Sequence, residues 1–161
     1  MRKLILTKFQ TNDFQDYFRL VSDESVMAII TERSIPLEEA QTNYQKILFR
    51  NEKHENFGTY KVYNNEANEF IGLGSLIVNE EIDEAEIGYM ILPDHWGKGY
   101  GSEVAEILVQ QATNTTLKRL TAIIDPKNLS SRKILIKQGF VSEKLCEIEG
   151  LPGEILSKKL V

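Results

Sequence analysis

The 161-residue sequence predicts one α+β domain built around a mixed, mostly antiparallel twisted sheet of about seven strands, flanked by about four helices. Three observations predict this class. Three apolar segments separated by short turns occupy the middle of the chain, a helix then connects two strands, and a further helix precedes two closing strands. No repeat, linker or low-complexity tract divides residues 1–161, so we expect a single domain.

The N-terminal third of the chain predicts a strand and two helices. Residues 3–9 predict the first strand, and residues 11–13 offer capping side chains for a helix whose apolar residues share one face. A second helix is expected after Pro36, because the missing amide of proline is harmless at a helix start. The carboxylates of Glu38 and Glu39 suit the dipole of that helix.

The middle of the chain predicts three consecutive antiparallel strands, at residues 58–63, 70–78 and 84–91. The turn-rich residues 64–68 and the acidic residues 79–83 separate them. Short connections of this kind join antiparallel neighbours, so this part of the sheet is expected to be a meander.

The C-terminal third predicts a strand–turn–helix–strand unit, followed by a helix and two strands. Apolar residues at helical spacing predict a helix over residues 102–112, and Asp125-Pro126 ends a short apolar strand at residues 120–124. A helix over residues 130–138 ends at Gly139, where a left-handed cap fits. The closing strands are expected at residues 141–148 and 154–160, around a turn at residues 150–153.

Charge and composition exclude several kinds of partner and site. Nineteen Lys and Arg residues against twenty-four Asp and Glu residues give a net charge of −5, which opposes binding to nucleic acid or an anionic membrane. No apolar stretch reaches the length of a membrane span, and we expect a cytoplasmic protein. The lone Cys146 excludes an intrachain disulfide and is interpreted as a strand residue, and His54 and His95 are too far apart to predict a metal site.

A glycine-rich turn is the strongest local signal. Residues 91–103 lead from a strand end through Gly97, Gly99 and Gly101 directly into a helix. Glycines adopt backbone angles closed to other residues and let a ligand approach the main chain, while the unpaired amides of a helix start attract an anion. A dinucleotide-binding turn would need a different strand context, and a nucleotide-triphosphate loop would need Ser or Thr after Lys98. A tight connection without a ligand stays open from this segment alone.

A second segment, after the next predicted strand, decides between these alternatives. It contains Asp125-Pro126-Lys127-Asn128, then Ser131, and it ends at Gly139-Phe140. Together the two segments resemble the GNAT superfamily of N-acetyltransferases. The acetyl-CoA motif of that family, Gln/Arg-x-x-Gly-x-Gly/Ala, is matched here by Trp96-Gly97-Lys98-Gly99-Tyr100-Gly101, with Trp96 departing at the first position. The run Trp-Gly-Lys-Gly-Tyr and the spacing of Asn128 and Ser131 indicate the RimJ/RimL-like branch, over nearly the full length.

The resemblance implies a splay between two parallel strands, which holds the pantetheine arm of acetyl-CoA. It implies that main-chain groups of residues 89–91 bind the pantetheine amides, because backbone at a splay is unpaired. It also implies that amides of residues 98–102 bind the pyrophosphate, aided by the charge of Lys98. Asn128 is expected on the pantetheine arm and Ser131 near the thioester sulfur. The expected cofactor-binding residues are Tyr89, Met90, Ile91, Trp96, Gly97, Lys98, Gly99, Tyr100, Gly101, Ser102, Asn128 and Ser131.

Amine acetylation needs a base, a donor to the developing oxyanion and an acid for the departing thiolate. We interpret Glu86 as the base, acting directly or through water, with a solvated strand carboxylate as the alternative. Glu103 is the second candidate for the base. The alternative is that its carboxylate only stabilises the N-terminus of its helix by interacting with the helix dipole. The backbone amide of Met90 or Ile91 is expected to be the oxyanion donor.

The acid is less directly encoded. Many members of the superfamily carry a tyrosine seven positions after the motif asparagine, where this chain has Leu135. The departure moves the role to Ser131 or to solvent, and a serine that only caps its helix or faces water is the alternative. Trp96 and Tyr100 are interpreted as packing residues rather than as chemical groups.

The sequence therefore predicts an acetyl-CoA-dependent N-acetyltransferase that acts on a primary amine by direct attack in a ternary complex. Relatives in this branch act on protein N-termini, polyamines, aminoglycosides and small metabolites, and the sequence does not choose among them. A CoA-binding sensor or partner subunit without catalysis is the alternative, and a fold without CoA binding is a third. A monomer and a homodimer are both open. The acidic residues expected to receive a cationic acceptor are Glu24, Glu32, Glu80 and Glu81.

Overall fold

The computed structural model describes residues 4–28, 30 and 33–161. Along the chain, the elements are β1 (Leu4–Lys8), α1 (Phe14–Val21), α2 (Glu24–Met27), α3 (Leu37–Lys53), β2 (Gly58–Asn64), β3 (Glu69–Val78), β4 (Glu84–Ile91), α4 (Tyr100–Thr113), β5 (Arg119–Ile124), α5 (Leu129–Lys137), β6 (Val141–Ile148) and β7 (Leu151–Lys159).

All seven strands form one sheet in the order β1-β2-β3-β4-β5-β7-β6. Neighbouring strands are antiparallel except for the central pair β4 and β5, which are parallel and joined through α4. The predicted α+β fold with a mixed, mostly antiparallel sheet is therefore confirmed. The described part of the chain has five α-helices instead of about four, because α2 is a single turn of four residues, too short to show an apolar period.

The parallel pair separates soon after it forms. Strands β4 and β5 pair only from Glu84 with Arg119 to Glu86 with Thr121. On its other side β4 stays paired with β3 as far as Ile91. The rest of β4 therefore presents a row of backbone groups towards the gap without a strand opposite, which is the splay that the family resemblance implied.

The two faces of the sheet are covered by different helices. One core contains Val104 and Leu108 of α4 and Leu135 of α5, and the other contains Tyr17, Tyr44 and further residues of α1 to α3. Helix α4 packs especially close to β3, because a Cβ atom at Gly74 would lie 3.0 Å from side-chain carbons of both Val104 and Leu108. The splay opens between these two covered faces and is therefore walled by helix ends and by the closing hairpin.

The closing hairpin differs from its prediction. We expected the turn at residues 150–153, but it lies at Glu149 and Gly150, whose φ angles are 51° and 83°. These left-handed angles suit a two-residue hairpin turn. Pro152 lies inside β7, opposite Glu147 of β6, before the pairing of β7 with β5 starts at Glu154. A proline is tolerated there because its missing amide faces no ladder partner on that side.

Candidate active site

The turn between β4 and α4 forms an open cradle of backbone groups. Gly97 and Gly99 have φ angles of 76° and 80°, and a Cβ atom at either would meet nothing within 4 Å. The first amide bonded inside α4 is that of Glu103, which donates to Gly99 O at 3.1 Å, so the amides of residues 100–102 have no acceptor within the helix. These glycines hold the chain in a left-handed conformation beside space that a ligand can enter.

Gly101 has a different reason to be glycine. It lies in the first turn of α4 without a positive φ angle, so the backbone freedom that a glycine offers is used at Gly97 and Gly99 but not here. A Cβ atom there would lie 3.2 Å from Cδ1 of Ile134 on α5. Gly101 therefore lets α4 and α5 approach each other at the edge of the splay.

Two ring side chains anchor the cradle to the sheet. The indole Nε1 of Trp96 donates to the carbonyl oxygen of Ile91 at 2.7 Å, while the ring is 51% exposed. His95 is buried, and its Nε2 lies 3.1 Å from Oε1 of Glu69 at the start of β3. Main-chain groups of Ile91 were predicted to bind the ligand. Its carbonyl oxygen already accepts the hydrogen bond from Trp96, so its amide is the group left for a ligand. Lys98 is exposed and lines neither cavity described below.

A cavity of about 370 Å³ follows the cradle along the upper part of β4. Its walls combine backbone of β4, the cradle and the N-terminal turn of α5. The predicted cofactor residues that line it are Tyr89, Met90, Ile91, Trp96, Gly97, Gly99, Tyr100, Gly101, Ser102, Asn128 and Ser131. Unpaired strand backbone beside open amides of a helix start fits an arm with amides that ends in a pyrophosphate, as in acetyl-CoA.

A second cavity of about 340 Å³ lies on the other side of the splay, towards the closing hairpin. Three carboxylates line it, from Glu86, Asp125 and Glu149, and its described lining residues include no Lys, Arg or His. Apolar side chains such as Ile148 and Leu151 complete the wall. Among the carboxylates that the sequence predicted to receive a cationic acceptor, those that the structure describes do not line this cavity. Glu24, Glu80 and Glu81 line neither cavity, and Glu32 lies outside the described residues.

The two cavities meet at one place. Both are lined by Tyr89, Met90, Asn128 and Ser131, together with Ile30. The structure thus brings the predicted residues of the β4 end and of the α5 start together between an arm-shaped cavity and an acidic one.

Ser131 is held firmly at this junction. It lies in the first turn of α5, where the Oδ1 atom of Asn128 caps the helix by accepting a hydrogen bond from the Ser131 amide at 3.2 Å. The side-chain amide nitrogen of Asn128 takes no part in this cap and can donate to a ligand. The next residue, Arg132, donates to both carboxylate oxygens of the buried Glu154 on β7, at 3.1 and 3.2 Å.

The tyrosine side chain at this junction was not predicted to take part. The hydroxyl oxygen of Tyr89 lies 3.0 Å from Oγ of Ser131, whereas the sequence indicated only a main-chain role for Tyr89. Burial raises the pKa of the Tyr89 phenol to about 12, against a smaller lowering by the bond with Ser131. The phenol therefore keeps its proton at any physiological pH. The alternation of side chains along β4 could have indicated that Tyr89 and Glu86 point away from each other. They are an odd number of residues apart, so their side chains leave opposite faces of the strand.

Glu86 and Glu103, the two candidate bases, are in different situations. Glu86 is the last residue of β4 that pairs with β5, and its exposed carboxylate lines the acidic cavity. Loss of surrounding water in the cleft raises its pKa. Glu103 instead accepts a hydrogen bond from the Leu4 amide at 3.2 Å and lines neither cavity. Its contact ties β1 to α4.

Comparison of the sequence with protein families gives a match to the acetyltransferase (GNAT) domain over residues 3–141. The chain belongs to the GNAT family of acetyltransferases. Among relatives, an uncharacterized N-acetyltransferase of Bacillus subtilis, YoaA, is 28% identical over 88% of this chain and 81% of its own length. The uncharacterized N-acetyltransferase p20 of Bacillus licheniformis is 38% identical, over 50% of this chain and 46% of its own length.

Solved structures of other GNAT proteins share this fold. A GNAT-family acetyltransferase from Bacillus anthracis superposes with a TM-score of 0.84 at 22% identity, covering 99% of this chain and 96% of that one. Spermidine N-acetyltransferase from Vibrio cholerae, in complex with CoA and spermine, superposes with a TM-score of 0.81 at 20% identity. The match covers 98% of this chain and 96% of that one. RimL, a ribosomal-protein alpha-N-acetyltransferase in complex with coenzyme A, superposes with a TM-score of 0.82 at 15% identity. The match covers 99% of this chain and 95% of that one.

This GNAT protein is an acetyltransferase, and its relatives do not favour the alternative of a sensor without catalysis. In the parts of the chain that the structure describes, no helix has the length and apolar character needed to cross a bilayer. Within the same parts, no group of three metal-binding side chains is gathered in one place.

Proposed function

We propose that this GNAT acetyltransferase, as a member of the RimJ/RimL-like branch, moves an acetyl group from acetyl-CoA to a primary amine by direct attack in a ternary complex. The observation that carries the proposal is the meeting of an arm-shaped cavity and an acidic cavity at Tyr89, Met90, Asn128 and Ser131. A donor and an acceptor that enter from opposite sides would meet there, and holding the two reactants together is itself a large part of catalysis.

The donor would be held by main chain at both ends of its cavity. The open amides of residues 100–102 and the turn at Gly97 and Gly99 would bind the pyrophosphate. The free edge of β4 would bind the pantetheine amides, and the amide nitrogen of Asn128 would donate to the same arm. When bound, acetyl-CoA supplies an acetyl thioester, so that a C–N bond to the amine forms as the C–S bond breaks and its electron pair stays on sulfur.

Glu86 is proposed to take the proton that the amine must lose, directly or through one water. Its carboxylate lines the acidic cavity at the point where the splay begins. Its raised pKa moves it closer to neutral pH than that of an ordinary glutamate, and a base works best when its pKa is near the working pH. The backbone amide of Ile91 is the preferred oxyanion donor, since Ile91 lines the arm-shaped cavity and only its carbonyl is bonded to Trp96.

Ser131 is proposed to donate a hydrogen bond to the departing sulfur. It lies at the junction of the cavities, and its backbone is fixed by the Asn128 cap. A fixed hydroxyl stabilises developing negative charge without having to reorganise during the reaction. The position where many superfamily members carry a tyrosine holds Leu135 here, which has no hydroxyl and is buried in the core.

For the acceptor we propose a small primary amine that carries a further positive charge or a compact aliphatic body. The acidic cavity offers Asp125 and Glu149 in addition to Glu86, and its remaining wall is largely apolar. Similar folds serve a spermidine N-acetyltransferase and the ribosomal-protein N-acetyltransferase RimL, so polyamines and peptide N-termini both belong in the first screen.

The decisive experiment is release of CoA thiol from acetyl-CoA in the presence of diamines, polyamines, aminoglycosides, amino-acid amides and N-terminal peptides. The mass of each product confirms transfer. We expect turnover with one cationic class, and Glu86→Gln to lower kcat by about 10²-fold or more at neutral pH. Glu80→Gln is the matched control, because Glu80 is exposed and lines neither cavity. CoA binding without thiol release for any amine would contradict the proposed function.

A further inference from the structure

We propose that Tyr89 is a positioning residue, which holds the hydroxyl of Ser131 in the one orientation that donates to the departing sulfur. The inference rests on the proposed function, and it concerns a side chain that the sequence pattern did not connect with catalysis. Its starting point is the 3.0 Å contact between the Tyr89 hydroxyl and Oγ of Ser131, at the junction of the two cavities.

The direction of this hydrogen bond follows from the acidity of the two groups. A phenol is much more acidic than an alkyl hydroxyl, so it is the better donor and the poorer acceptor. The pKa of Tyr89, about 12, keeps its proton in place. Among the described residues, the Ser131 carbonyl oxygen is a second acceptor for the single phenol proton, but it lies 3.4 Å away, whereas Oγ of Ser131 lies at 3.0 Å, so we assign the proton to the shorter contact. Tyr89 therefore donates to Ser131.

The consequence concerns the proton of Ser131. A serine hydroxyl that accepts from one side keeps its own proton for a second partner, and its rotation about the Cβ–Oγ bond is limited. The donor bond from Tyr89 also polarises the serine hydroxyl and strengthens the bond that it gives, since chains of hydrogen bonds reinforce one another. Ser131 is thus prepared for an acceptor that approaches from the cavity.

The surroundings restrict Ser131 from several directions. Asn128 caps its backbone amide, and Arg132 next to it is bonded to Glu154 on β7. Tyr89 adds a contact from β4, across the splay. The backbone around Ser131 is thus fixed by its own helix cap and by the neighbouring bond to β7, and the Ser131 hydroxyl is contacted from β4.

The chemistry that the pair would assist is the departure of sulfur. When the C–S bond breaks, the electron pair goes to sulfur, the amine proton goes to Glu86 or water, and Ser131 donates a hydrogen bond to the new negative charge. No proton leaves Tyr89 in this step, because its pKa of about 12 makes it a donor of a hydrogen bond and not an acid for a thiolate. Tyr89 acts on the reaction only through Ser131.

The test measures ionisation of the thiol of CoA bound to the protein, without any amine. The pair stabilises the thiolate, so the thiol pKa of bound CoA, read from thiolate absorbance against pH, should be lower in the wild type than in Tyr89→Phe. The expected difference in the ionisation constant is about three- to tenfold, the range for one hydrogen bond. Affinity for a CoA analogue without the sulfur should be the same in both proteins. An equal thiol pKa in both would overturn the proposal.

Two further variants separate positioning from packing. Tyr60→Phe is the matched control, because the buried Tyr60 also loses a hydroxyl that is bonded, to Gln111 at 2.7 Å, far along the chain from the site. It should leave the thiol pKa of bound CoA unchanged. In Ser131→Ala the thiol pKa should rise at least as much as in Tyr89→Phe, and the double variant should match Ser131→Ala alone. Independent, additive effects of the two changes would mean that Tyr89 does not act through Ser131.

The experiments distinguish a failure of the Tyr89 proposal from a failure of the proposed function. If no amine is acetylated but the thiol pKa of bound CoA shifts as described, the pair acts on the sulfur and the acceptor screen is what failed. If an amine is acetylated but Tyr89→Phe equals the wild type in thiol pKa and in kcat, the enzyme works without the positioning role. Should Tyr89→Phe be unstable, Ser131→Ala removes the same hydrogen bond from its other partner, and an unchanged thiol pKa of bound CoA in that variant would overturn the proposal.

Discussion

At the scale of single residues, Glu86, which we propose as the base, shows how position in a sheet can raise the pKa of a carboxylate. It is the last residue of β4 with a partner on β5, so its carboxylate stands where protein begins to give way to the cavity. Partial removal of water disfavours the charged form and raises its pKa. The loss of water that raises the pKa of Glu86 also lowers the stability of the folded protein when this carboxylate is ionised.

The prediction is that Glu86→Gln stabilises the protein while it removes activity. A carboxyl whose pKa is raised in the folded state favours folding below the unfolded value, and that advantage is lost as the pH rises through the folded pKa. Glutamine has no charge to desolvate. The Tm of Glu86→Gln relative to the wild type should therefore increase from acid to neutral pH and then stay level. A difference that falls with pH would contradict the raised pKa, and Glu80→Gln supplies the baseline, because Glu80 lines neither cavity.

The Tyr89–Ser131 contact marks a limit of sequence reasoning at this scale. The two residues are 42 positions apart, and the hydrogen bond depends on the angle between β4 and α5. Both residues could be assigned to the cofactor site, because each belongs to a local motif with a known backbone geometry. Their side-chain partnership could not, since the distance between the ends of two separate elements is set by core packing and not by spacing.

At the scale of elements, the cradle was predictable and the closing hairpin was not. The cradle is encoded within a few residues, and its glycines at 97 and 99 need left-handed angles that few other residues adopt. In the hairpin, Pro152 and Gly153 resembled a turn, yet both lie in β7. The observed turn contains Glu149 at a φ of 51°, a conformation that the amino-acid type does not signal.

For the cradle we predict that Gly99→Ala lowers both stability and CoA affinity. The φ of 80° at Gly99 costs an alanine about 1–2 kcal/mol, although a Cβ atom there would touch nothing within 4 Å. The strain would be relieved by turning the amides of the helix start away from the ligand. Chemical denaturation and calorimetric titration with CoA measure the two effects.

Gly150→Ala is the matched control for that prediction. Gly150 has a φ of 83° and equally open surroundings, but it lies in the closing hairpin. It should lose a similar free energy of unfolding and keep its affinity for CoA. If both variants lose affinity alike, the loss reflects general destabilisation and the cradle has no special part in binding.

At the scale of the whole molecule, the splay has to be held open without loosening the fold. Strands β4 and β5 share only a short ladder, so α5 and β7 supply part of the connection across the gap. The bond between Arg132 of α5 and the buried Glu154 of β7 is the polar contact that joins them. The mixed, mostly antiparallel type of the sheet could be predicted, while the place of the closing strands in it and this cross-connection depend on the assembled tertiary structure.

We predict that Arg132→Met destabilises the protein by about 2 kcal/mol, because it leaves a buried carboxylate without its partner. The value lies below that for a fully buried pair, since the Arg132 side chain is 42% exposed. Urea denaturation measures the loss, with Lys133→Met as the control at the exposed neighbouring position. Replacing Glu154 as well, with Met, should recover most of the stability. No recovery in the double variant would show that the loss comes from packing and not from the unpaired charge.

The bond from Trp96 to the carbonyl of Ile91 has a practical consequence. Trp96 is the only tryptophan of the sequence, and its half-exposed ring lines the arm-shaped cavity beside the cradle. The tryptophan fluorescence of the protein therefore comes from a single ring beside the arm-shaped cavity. A ligand that enters this cavity should change the solvent around the indole and with it the fluorescence. With CoA in this cavity, as proposed above, Trp96 would be a built-in optical reporter, and occupancy could be titrated without a label and before any acceptor has been identified.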